Sequence, residues 1–454
     1  MSSHSESDLF GPLFGDPEVG DQLSDRARLQ AMLDVEAALA DAEAELGIVP
    51  RAAAGPIRAA AKADLYDARA IAIEAADAGN LAIPLVRHLT KRVEGIDRDA
   101  ARYVHWGATS QDIIDTGLVL QLQRAVPPIV RNLERAAAAA AQHARRHIDT
   151  AMAGRTWLQQ STPVTFGLKA AGWLDAIVRQ RTSLADALDD TRVVQCGGAS
   201  GTMAALGEQG LAVADLLASR LGLASPDIPW HAHRDRLVRL ACALGVACGT
   251  LGKIARDVSL LSQTEVGEAA EGRGGGSSAM PHKQNPVAAS VALAAAVRAP
   301  GLVATMLAAM PQEHERGLGG WQAEWTTLPE LVLLTAGASR ASATMLEGLV
   351  VDEARMCANL ALTQGLIASE AAVMALAPHV GRSEAHHIVE DGAKRMRTSG
   401  GTLADALAAD PAVTRHLTRA EIDRHLSPER YVGAARALVE RVLARAAGMQ
   451  SSHA

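Results

Sequence analysis

The amino-acid sequence predicts an all-α fold, and its composition is the main reason. Of the 454 residues, 48% are hydrophobic but only 3% are aromatic, so the core must be built from Ala, Leu, Val and Ile. Alanine is the best helix former, and the alternating runs of β-branched and aromatic residues that mark strands are missing. The length suggests two to three domains or one elongated fold with lobes.

Charge and cysteine usage exclude several classes of protein. The net charge is -7 and the sequence has no basic run. Binding to nucleic acid through neutralisation of its phosphates is therefore not expected. The four cysteines form no CxxC pair, which favours a reducing cytoplasm over a disulfide scaffold. The N-terminus lacks a signal peptide's basic flank and apolar segment. No unbroken run of about 18 apolar residues exists, so no membrane contact is expected.

The N-terminal part, 1–116, is expected to be a helical domain. A helix over 24–46 would begin after Ser24 as N-cap and end at Gly47. Shorter helices are expected over 51–62 and 67–76, and 94–117 is expected to be rich in loops.

The central part, 117–349, predicts a bundle of long helices. The segment 234–264 is apolar around most of its circumference, and such a helix must be buried on several sides. This predicts association with other subunits, with a large monomeric bundle as the alternative. The remaining part, 350–454, predicts a C-terminal domain of shorter helices. The expected central helices are 117–149, 163–191, 206–222, 234–264, 286–310 and 324–349. The expected C-terminal helices are 352–362, 366–378, 382–397, 401–408, 419–424 and 427–447.

One segment, 272–286, concentrates reactive groups. Four of its first five residues are glycine, which gives flexibility, and Pro286 is expected to open the next long helix. A helix start with free N–H groups suits an anion. A plain linker would explain the glycines but not the Met-Pro-x-Lys-x-Asn-Pro string that follows. The polar residues of the segment are Ser277, Ser278, Lys283 and Asn285.

The string GSSAMPHKQNP, at 276–286, resembles the signature of the fumarase/aspartase superfamily. The string HWGATSQD, at 105–112, resembles that family's first active-site segment, and GRTWLQQSTPVTFG, at 154–167, resembles the second. The resemblance extends over nearly the whole chain. It implies a three-domain fold whose long central helical bundle forms the core of a homotetramer, with each active site shared between subunits.

The resemblance also implies roles for individual residues. Ser277 matches the serine that moves a proton on the carbon next to a carboxylate, while Lys283 and Asn285 match groups that bind the carboxylate and its aci-carboxylate intermediate. Fixed donors and cations of this kind supply the largest catalytic effect in such reactions. The further predicted substrate contacts are Thr109, Ser110, Thr156, Gln159, Ser278 and Met280.

Two departures from the family pattern indicate the reaction. Lyases of the superfamily usually carry His after the Thr of the second segment and Glu seven residues after the signature lysine; here these positions are Trp157 and Ser290. Hydroxide or a nitrogen group needs an acid in order to leave, whereas a carboxylate, with a conjugate-acid pKa of about 4, leaves unaided. The missing acid pair therefore predicts a carboxylate oxygen as leaving group or nucleophile.

The strings at 103–112, 154–159, 197–202, 229–237 and 310–325 resemble the lactonising cycloisomerase branch of the superfamily, in the protocatechuate branch of the β-ketoadipate pathway. The resemblance implies anti addition of a carboxylate to an alkene of a carboxylated muconate, giving 4-carboxymuconolactone. It implies no redox cofactor and no metal, because Lys283 and arginines supply the positive charge. A sulfo-substituted muconate is an alternative substrate.

The tricarboxylate substrate requires further cationic groups. Arg316 resembles a substrate-binding arginine of the family, and His105 is expected to orient substrate. Arg155 and Arg234 are candidates that could equally be salt-bridge partners. Trp157 could form a flat wall against the diene or simply pack.

Two other functions stay open. A lyase of the adenylosuccinate type would need the general acid that this sequence lacks. A non-enzymatic tetramer of the same fold, as among lens crystallins, is disfavoured by the intact Ser277, Lys283 and Asn285.

Overall fold

The computed structural model describes residues 9–451, so the first eight residues, which contribute to the expectation of no signal peptide, lie outside it. Helices dominate the described chain, and the strands form two small antiparallel pairs. The predicted all-α class is confirmed. The chain divides into two compact units: unit 1 comprises 1–133, 180–252 and 291–341, and unit 2 comprises 134–179, 253–290 and 342–454.

The N-terminal helices follow the predicted pattern closely. Ser24 caps α3 by accepting a hydrogen bond from the Ala27 N–H, as predicted. The second and third predicted helices correspond to α4 and α5, and α5 ends at Gly79 in a left-handed conformation. The sequence did not predict α1, α2 or α6. These helices are α1 (Gly11–Phe14), α2 (Pro17–Leu23), α3 (Asp25–Glu45), α4 (Arg51–Ala60), α5 (Ala68–Ala78) and α6 (Ala82–Glu94).

The long central helices are present as predicted, with ends shifted by a few residues. Pro286 precedes α11 instead of opening it, which corrects the expectation for this proline. The largest shift is at α7, which begins seven residues earlier than expected. In chain order the elements are α7 (Ser110–Arg146), β1 (Ala151–Thr156), β2 (Gln159–Thr165), α8 (Phe166–Thr191), α9 (Gly210–Leu221), α10 (Asp235–Leu261), β3 (Ala269–Glu271), α11 (Val287–Ala308) and α12 (Gly320–Glu347).

A β-hairpin formed by β1 and β2 was not predicted. It pairs Ala151 with Thr165 at its base and Thr156 with Gln159 at its tip. Residues 151–156 contain no β-branched residue before the final Thr, so their composition gives no strand signal. The second active-site segment therefore lies on a hairpin rather than on a loop or helix.

The C-terminal region consists of short helices, and two of them begin with a reciprocal capping box, formed by Thr402 with Asp405 and by Thr418 with Glu421. Leu376, Leu403 and Val413 belong to a separate apolar cluster in this region. The predicted helix 427–447 begins later, at α19. These elements are β4 (Leu349–Val351), α13 (Glu353–Ala361), α14 (Ser369–Val380), α15 (Arg382–Ser399), α16 (Leu403–Ala408), α17 (Pro411–Thr414), α18 (Arg419–His425) and α19 (Ala435–Ser451).

Two helices, α10 and α11, are long and apolar enough to cross a membrane by length and composition alone, and α13 with the following segment to Val380 would qualify as a bent pair. Neither helix contains an unbroken apolar run of membrane-spanning length, because isolated charges such as Lys253 in α10 and Arg298 in α11 interrupt it. These charges lower the mean hydropathy only slightly. The most apolar window of α11 is only 28% buried. This helix thus presents an extensive apolar surface outside the described core.

Candidate active site

The first active-site segment, in unit 1, is organised by Asp112 in the first turn of α7. One of its carboxylate oxygens accepts hydrogen bonds from the backbone N–H of Thr109 at 3.0 Å and of Gly198 at 2.9 Å. The other oxygen contacts the Gly197 N–H at 3.0 Å and His231 Nε2 at 2.7 Å. A single carboxylate therefore connects the predicted ligand Thr109 to two distant strings of the sequence, and the predicted ligand Ser110 is the next residue along the chain.

Two glycines make this close approach possible. A Cβ atom on Gly197 would lie 2.7 Å from Cε1 of His231, and Gly198 has a φ of +66° that a larger residue adopts only with strain. The two glycine amides that face Asp112 thus belong to positions where a side chain would not fit. This contact explains the first two glycines of GGASGT.

His105 lies half-buried in the same unit and bonds to a residue that the sequence reasoning did not identify. Its Nδ1 is 2.6 Å from Oε1 of Glu36 in the middle of α3. Burial by itself would lower the pKa of His105, but the charge of Glu36, the hydrogen bond to it and the charge of Asp112 together raise the pKa above its ordinary value. The imidazole is therefore held toward its charged form.

Arg234 is enclosed by carboxylates. It is 1% exposed, its Nη1 lies 2.7 Å from Asp115, its Nη2 lies 2.6 Å from Glu324, and its guanidinium stacks over the ring of Trp230. The pKa of Arg234 is raised because the attraction of the two carboxylates outweighs burial. These contacts are those of the salt-bridge alternative that the sequence left open for this arginine.

Arg316 lies in the loop before α12, two residues after His314, which has a positive φ. Its Nη2 donates to the Ala199 carbonyl at 3.0 Å, within the glycine-rich string that also contacts Asp112. Its Nε is buried and has no hydrogen-bond partner among the described residues. Arg316 thus joins the group of segments that Asp112 organises in unit 1, with one donor still unused.

In unit 2 the second segment forms the tip of the β1–β2 hairpin. Trp157 and Leu158 are the two turn residues, with φ values of +53° and +62°, and their side chains are 98% and 77% exposed. A two-residue turn with both φ values positive is a type I′ turn, which normally uses Asn and Gly. Thr156 and Gln159 flank the turn and are exposed as well.

Arg155, next to this tip, is engaged in an ion pair. Its two terminal nitrogens bind Glu268 at 2.8 and 2.7 Å, and Glu268 is fully buried and also accepts a hydrogen bond from Asn359 at 2.8 Å. This two-point pair fits the salt-bridge alternative for Arg155. Its predicted contact with substrate stays a prediction.

The segment 272–286, called the reactive loop from here on, also lies in unit 2. A backbone bridge closes it, in which Gly275 and Asn285 exchange hydrogen bonds of 2.8 and 2.7 Å. Within it, Ser277 Oγ accepts from the backbone N–H groups of Ala279 at 3.3 Å and Met280 at 3.1 Å. Two N–H donors directed at one hydroxyl oxygen stabilise negative charge on that oxygen. Ser277 is thereby suited to give up and take back a proton.

The other residues of the loop that were predicted to bind substrate differ in their contacts and exposure. Asn285 Nδ2 donates to the Gly276 carbonyl at 3.1 Å, so this amide braces the loop. Ser278, Met280 and Lys283 are exposed. The loop thus presents an ammonium and a hydroxyl to its surroundings.

The start of α11 does not offer the vacant anion site that the sequence suggested. Glu271 at the end of β3 accepts hydrogen bonds from the Ala288 N–H at 3.1 Å and the Ala289 N–H at 2.7 Å. A buried carboxylate therefore fills the positive end of this helix. The anion-binding capacity of the segment lies in the loop itself, around Ser277 and Lys283.

The structure assembles the predicted residues in two groups. Unit 1 holds His105, Thr109, Ser110, Arg234 and Arg316. Unit 2 holds the hairpin and loop residues, namely Arg155, Thr156, Trp157, Gln159, Ser277, Ser278, Met280, Lys283 and Asn285.

The sequence reasoning missed the buried acids that position these groups: Glu36, Asp112, Glu268 and Glu271. A carboxylate inside an apolar helical stripe, such as Glu36 in DVEAAL, is the one signal that could have revealed a member of this set.

Known proteins match both parts of the chain. A family model described as lyase matches residues 16–301, and one described as adenylosuccinate lyase C-terminus matches 365–442. A 3-carboxy-cis,cis-muconate cycloisomerase of Pseudomonas aeruginosa is 54% identical, covering 98% of this chain and 97% of its own length. Another, from Bradyrhizobium diazoefficiens, is 50% identical and covers 96% and 98%.

A solved structure agrees with these relatives. The crystal structure of the 3-carboxy-cis,cis-muconate lactonizing enzyme from Pseudomonas putida superimposes with a TM-score of 0.93 at 48% identity, covering 98% of this chain and all of that one. Because the superposition covers 98% of this chain, it includes Asp112, the hairpin and the Ser277 loop. The chain therefore belongs to the lyase family of the fumarase/aspartase superfamily.

Proposed function

We propose that this enzyme is a 3-carboxy-cis,cis-muconate cycloisomerase, which closes its substrate to 4-carboxymuconolactone. The observation that carries the proposal is the pairing of an intact Ser277 loop with Trp157 at the position where related lyases hold an acid. An indole does not release a proton at physiological pH, so this site lacks the group that a nitrogen or hydroxide leaving group needs. An internal carboxylate needs no such group.

In the reaction, a carboxylate oxygen of the substrate forms a bond to an alkene carbon. The electron pair of the double bond moves toward the neighbouring carboxylate and gives an aci-carboxylate. Ser277 then transfers its proton to the carbon next to that group, on the opposite face, which completes the anti addition. The N–H groups of Ala279 and Met280 stabilise the serine oxygen while it lacks its proton.

The charge of the substrate is distributed over fixed donors and cations. Lys283 and Asn285 hold the carboxylate that becomes the aci-carboxylate, and Thr109 and Ser110 bind another. His105, Arg316, Thr156, Gln159, Ser278 and Met280 complete the proposed contacts, and Trp157 faces the conjugated diene. No step requires a redox cofactor or a metal.

The apolar surface of α11 supports assembly into a homotetramer with shared active sites. Val297 is 78% exposed and Leu307 nearly half exposed, and a contiguous apolar face of this kind marks an interface rather than a free surface. A membrane would also cover such a face. Assembly is favoured because the relatives named above cover the chain nearly end to end and are named as metabolic enzymes.

The free thiols support a cytoplasmic location. All four cysteines are free, two of them buried within the core, and a reducing compartment keeps them so.

The decisive experiment follows the ultraviolet absorbance of 3-carboxy-cis,cis-muconate, whose conjugated diene is lost on lactonisation. We expect rapid loss with this substrate and none with adenylosuccinate in a parallel assay. A sulfo-substituted muconate measured beside it decides between the two muconate substrates by kcat/KM. Cleavage of a carbon–nitrogen bond with an untouched diene would contradict the proposal.

A further inference from the structure

A buried carboxylate, that of Glu36, forms a hydrogen bond with the ring of His105. Glu36 lies in the middle of α3, is 1% exposed, and its Oε1 is 2.6 Å from Nδ1 of His105. His105 has a φ of +60°, a conformation that costs a non-glycine residue free energy and that persists only where surrounding contacts hold it. Within residues 9–451, the contact with Glu36 is the one side-chain hydrogen bond that the structure gives this ring.

The contact fixes which nitrogen of the ring is left for other partners. Because Nδ1 faces Glu36, Nε2 is the atom that remains to donate, and the ring keeps partial access to solvent. A ring held in this way presents Nε2 at a set angle, and Nε2 carries an N–H while the ring is an imidazolium.

The charges near the ring favour an ion pair over a neutral pair. Glu43 lies two turns further along α3, and burial together with the negative charge of Glu36 raises the pKa of Glu43 to about 9, so Glu43 is uncharged at neutral pH. The negative charge that acts on the ring from α3 is therefore that of Glu36. The second negative group acting on His105 is Asp112 of α7, which is itself bound to His231 and to three backbone N–H groups.

We propose that Glu36 is a positioning residue that keeps His105 as an imidazolium and directs its Nε2–H toward a carboxylate of the substrate. His105 then acts as a permanent cation and not as a proton-transfer group, which leaves the proton chemistry to Ser277. This inference rests on the proposed function, since it assigns His105 to one of the carboxylates of a tricarboxylate.

The pH dependence follows from the direction of the shift. The pKa of His105 is raised despite burial, because Glu36 and Asp112 stabilise the charged ring. In the native enzyme the ring keeps its proton at pH values where an unperturbed histidine, with a pKa of about 6.5, has lost it. Without the charge of Glu36, burial would dominate and the ring would lose its proton at a lower pH than in the native enzyme.

The test is Glu36→Gln, which keeps the shape and the hydrogen-bond acceptor but removes the charge. We expect the KM for 3-carboxy-cis,cis-muconate to rise about tenfold at pH 8 and about twofold or less at pH 6, with kcat nearly unchanged, because the lost interaction is a charge-assisted hydrogen bond. The matched control is Glu74→Gln, which removes the partner of the surface residue His88 and should leave KM unchanged at both pH values. A KM increase that is equal at both pH values, or none, would overturn the proposal.

A second measurement does not depend on turnover. The rate of hydrogen–deuterium exchange at C2 of each histidine, read by mass spectrometry as a function of pH, reports the pKa of His105 in the wild-type protein. We expect that pKa to lie above the ordinary histidine value of about 6.5, and to fall below it in the Glu36→Gln variant. A wild-type His105 pKa below that ordinary value would refute the charged ring even if lactonisation is found, and a raised pKa without lactonisation would refute only the proposed function.

Discussion

At the scale of single residues, Ser277 is the group that we propose for the proton chemistry. Its Oγ receives two backbone hydrogen bonds from the same short loop, so the serine oxygen is stabilised by groups that a substitution at Ser277 does not remove. We expect Ser277→Ala to lower kcat by a factor on the order of 10²–10⁴, as is typical for loss of a general acid–base group, while KM changes little. Steady-state kinetics on the muconate diene measures this.

The control for this variant is Ser399→Ala. Ser399 is an exposed serine of α15 whose hydroxyl donates to the Arg395 carbonyl, outside the reactive loop. Its replacement should leave kcat within about twofold of wild type. Turnover close to normal in Ser277→Ala would remove this serine from the mechanism.

The missing acid pair provides a second prediction for individual residues. The double variant Trp157→His with Ser290→Glu restores the residue types of related lyases at both positions. Because a carboxylate nucleophile needs no proton donor beside it, we expect no gain in lactonisation, and a lower affinity from loss of the indole. A large gain in kcat would mean that the argument from the leaving group is wrong.

The residues proposed to act on substrate could be predicted from the sequence more readily than the residues that position them. Ser277 and Lys283 stand in short strings whose residue types and spacing are themselves the signal. Glu36 meets His105 across 69 positions, and Glu268 meets Arg155 across 113. Pairs at such separation are formed by the tertiary packing of distant segments, and no local pattern encodes them.

At the scale of elements, the β1–β2 hairpin departs most from the sequence prediction. Gly154 lies where a Cβ atom would be 2.4 Å from the Thr162 carbonyl, so the hairpin uses glycine at a close strand contact. Its type I′ turn contains Trp157 and Leu158, neither of which favours a positive φ. Strain of this kind is retained at functional sites when the side chains are needed there.

The turn allows the roles of its two residues to be separated. In Leu158→Gly the positive φ is no longer strained, so we expect the free energy of unfolding to rise by about 0.5–1 kcal/mol, with kcat and KM unchanged. Trp157→Gly should relieve similar strain but raise KM, since the indole faces substrate in the proposed site. Urea denaturation and kinetics on both variants make the comparison. A raised KM in Leu158→Gly alone would assign the contact with substrate to the leucine.

Within α3, Glu43 is a buried acid whose two carboxyl oxygens have no hydrogen-bond partner among the described residues. Its pKa of about 9 in the folded protein lies well above the ordinary value of 4.5. Between these two pH values the unfolded chain releases the proton while the folded protein keeps it, so the free energy of unfolding falls as the pH rises.

Glu43→Gln removes this penalty. We expect the variant to be more stable than wild type by an amount that grows from below 1 kcal/mol at pH 5 to about 3 kcal/mol at pH 7. Urea midpoints at several pH values and one protein concentration check it. A stability difference that does not change with pH would show that Glu43 is ionised in the folded protein.

At the scale of the whole molecule, the apolar surface of the long helices favours contact with other subunits. The sequence indicated this for 234–264, and the structure adds α11, whose residues Val297 and Leu307 remain exposed. The three-domain division predicted from element lengths is a separate proposal. Its C-terminal part, 350–454, lies within unit 2, which also includes the hairpin and the reactive loop.

Disrupting the apolar face of α11 tests the assembly and its link to activity together. A charge in a packed apolar interface is strongly unfavourable, so Val297→Lys should shift the protein toward smaller species in sedimentation velocity. The control Ile73→Lys places the same charge on an exposed isoleucine of α5 and should leave the sedimentation coefficient unchanged. If each active site uses residues from several subunits, kcat/KM of Val297→Lys should fall in parallel with the loss of the tetramer and recover at high protein concentration. A fully active monomer would contradict shared sites while leaving the cycloisomerase chemistry intact.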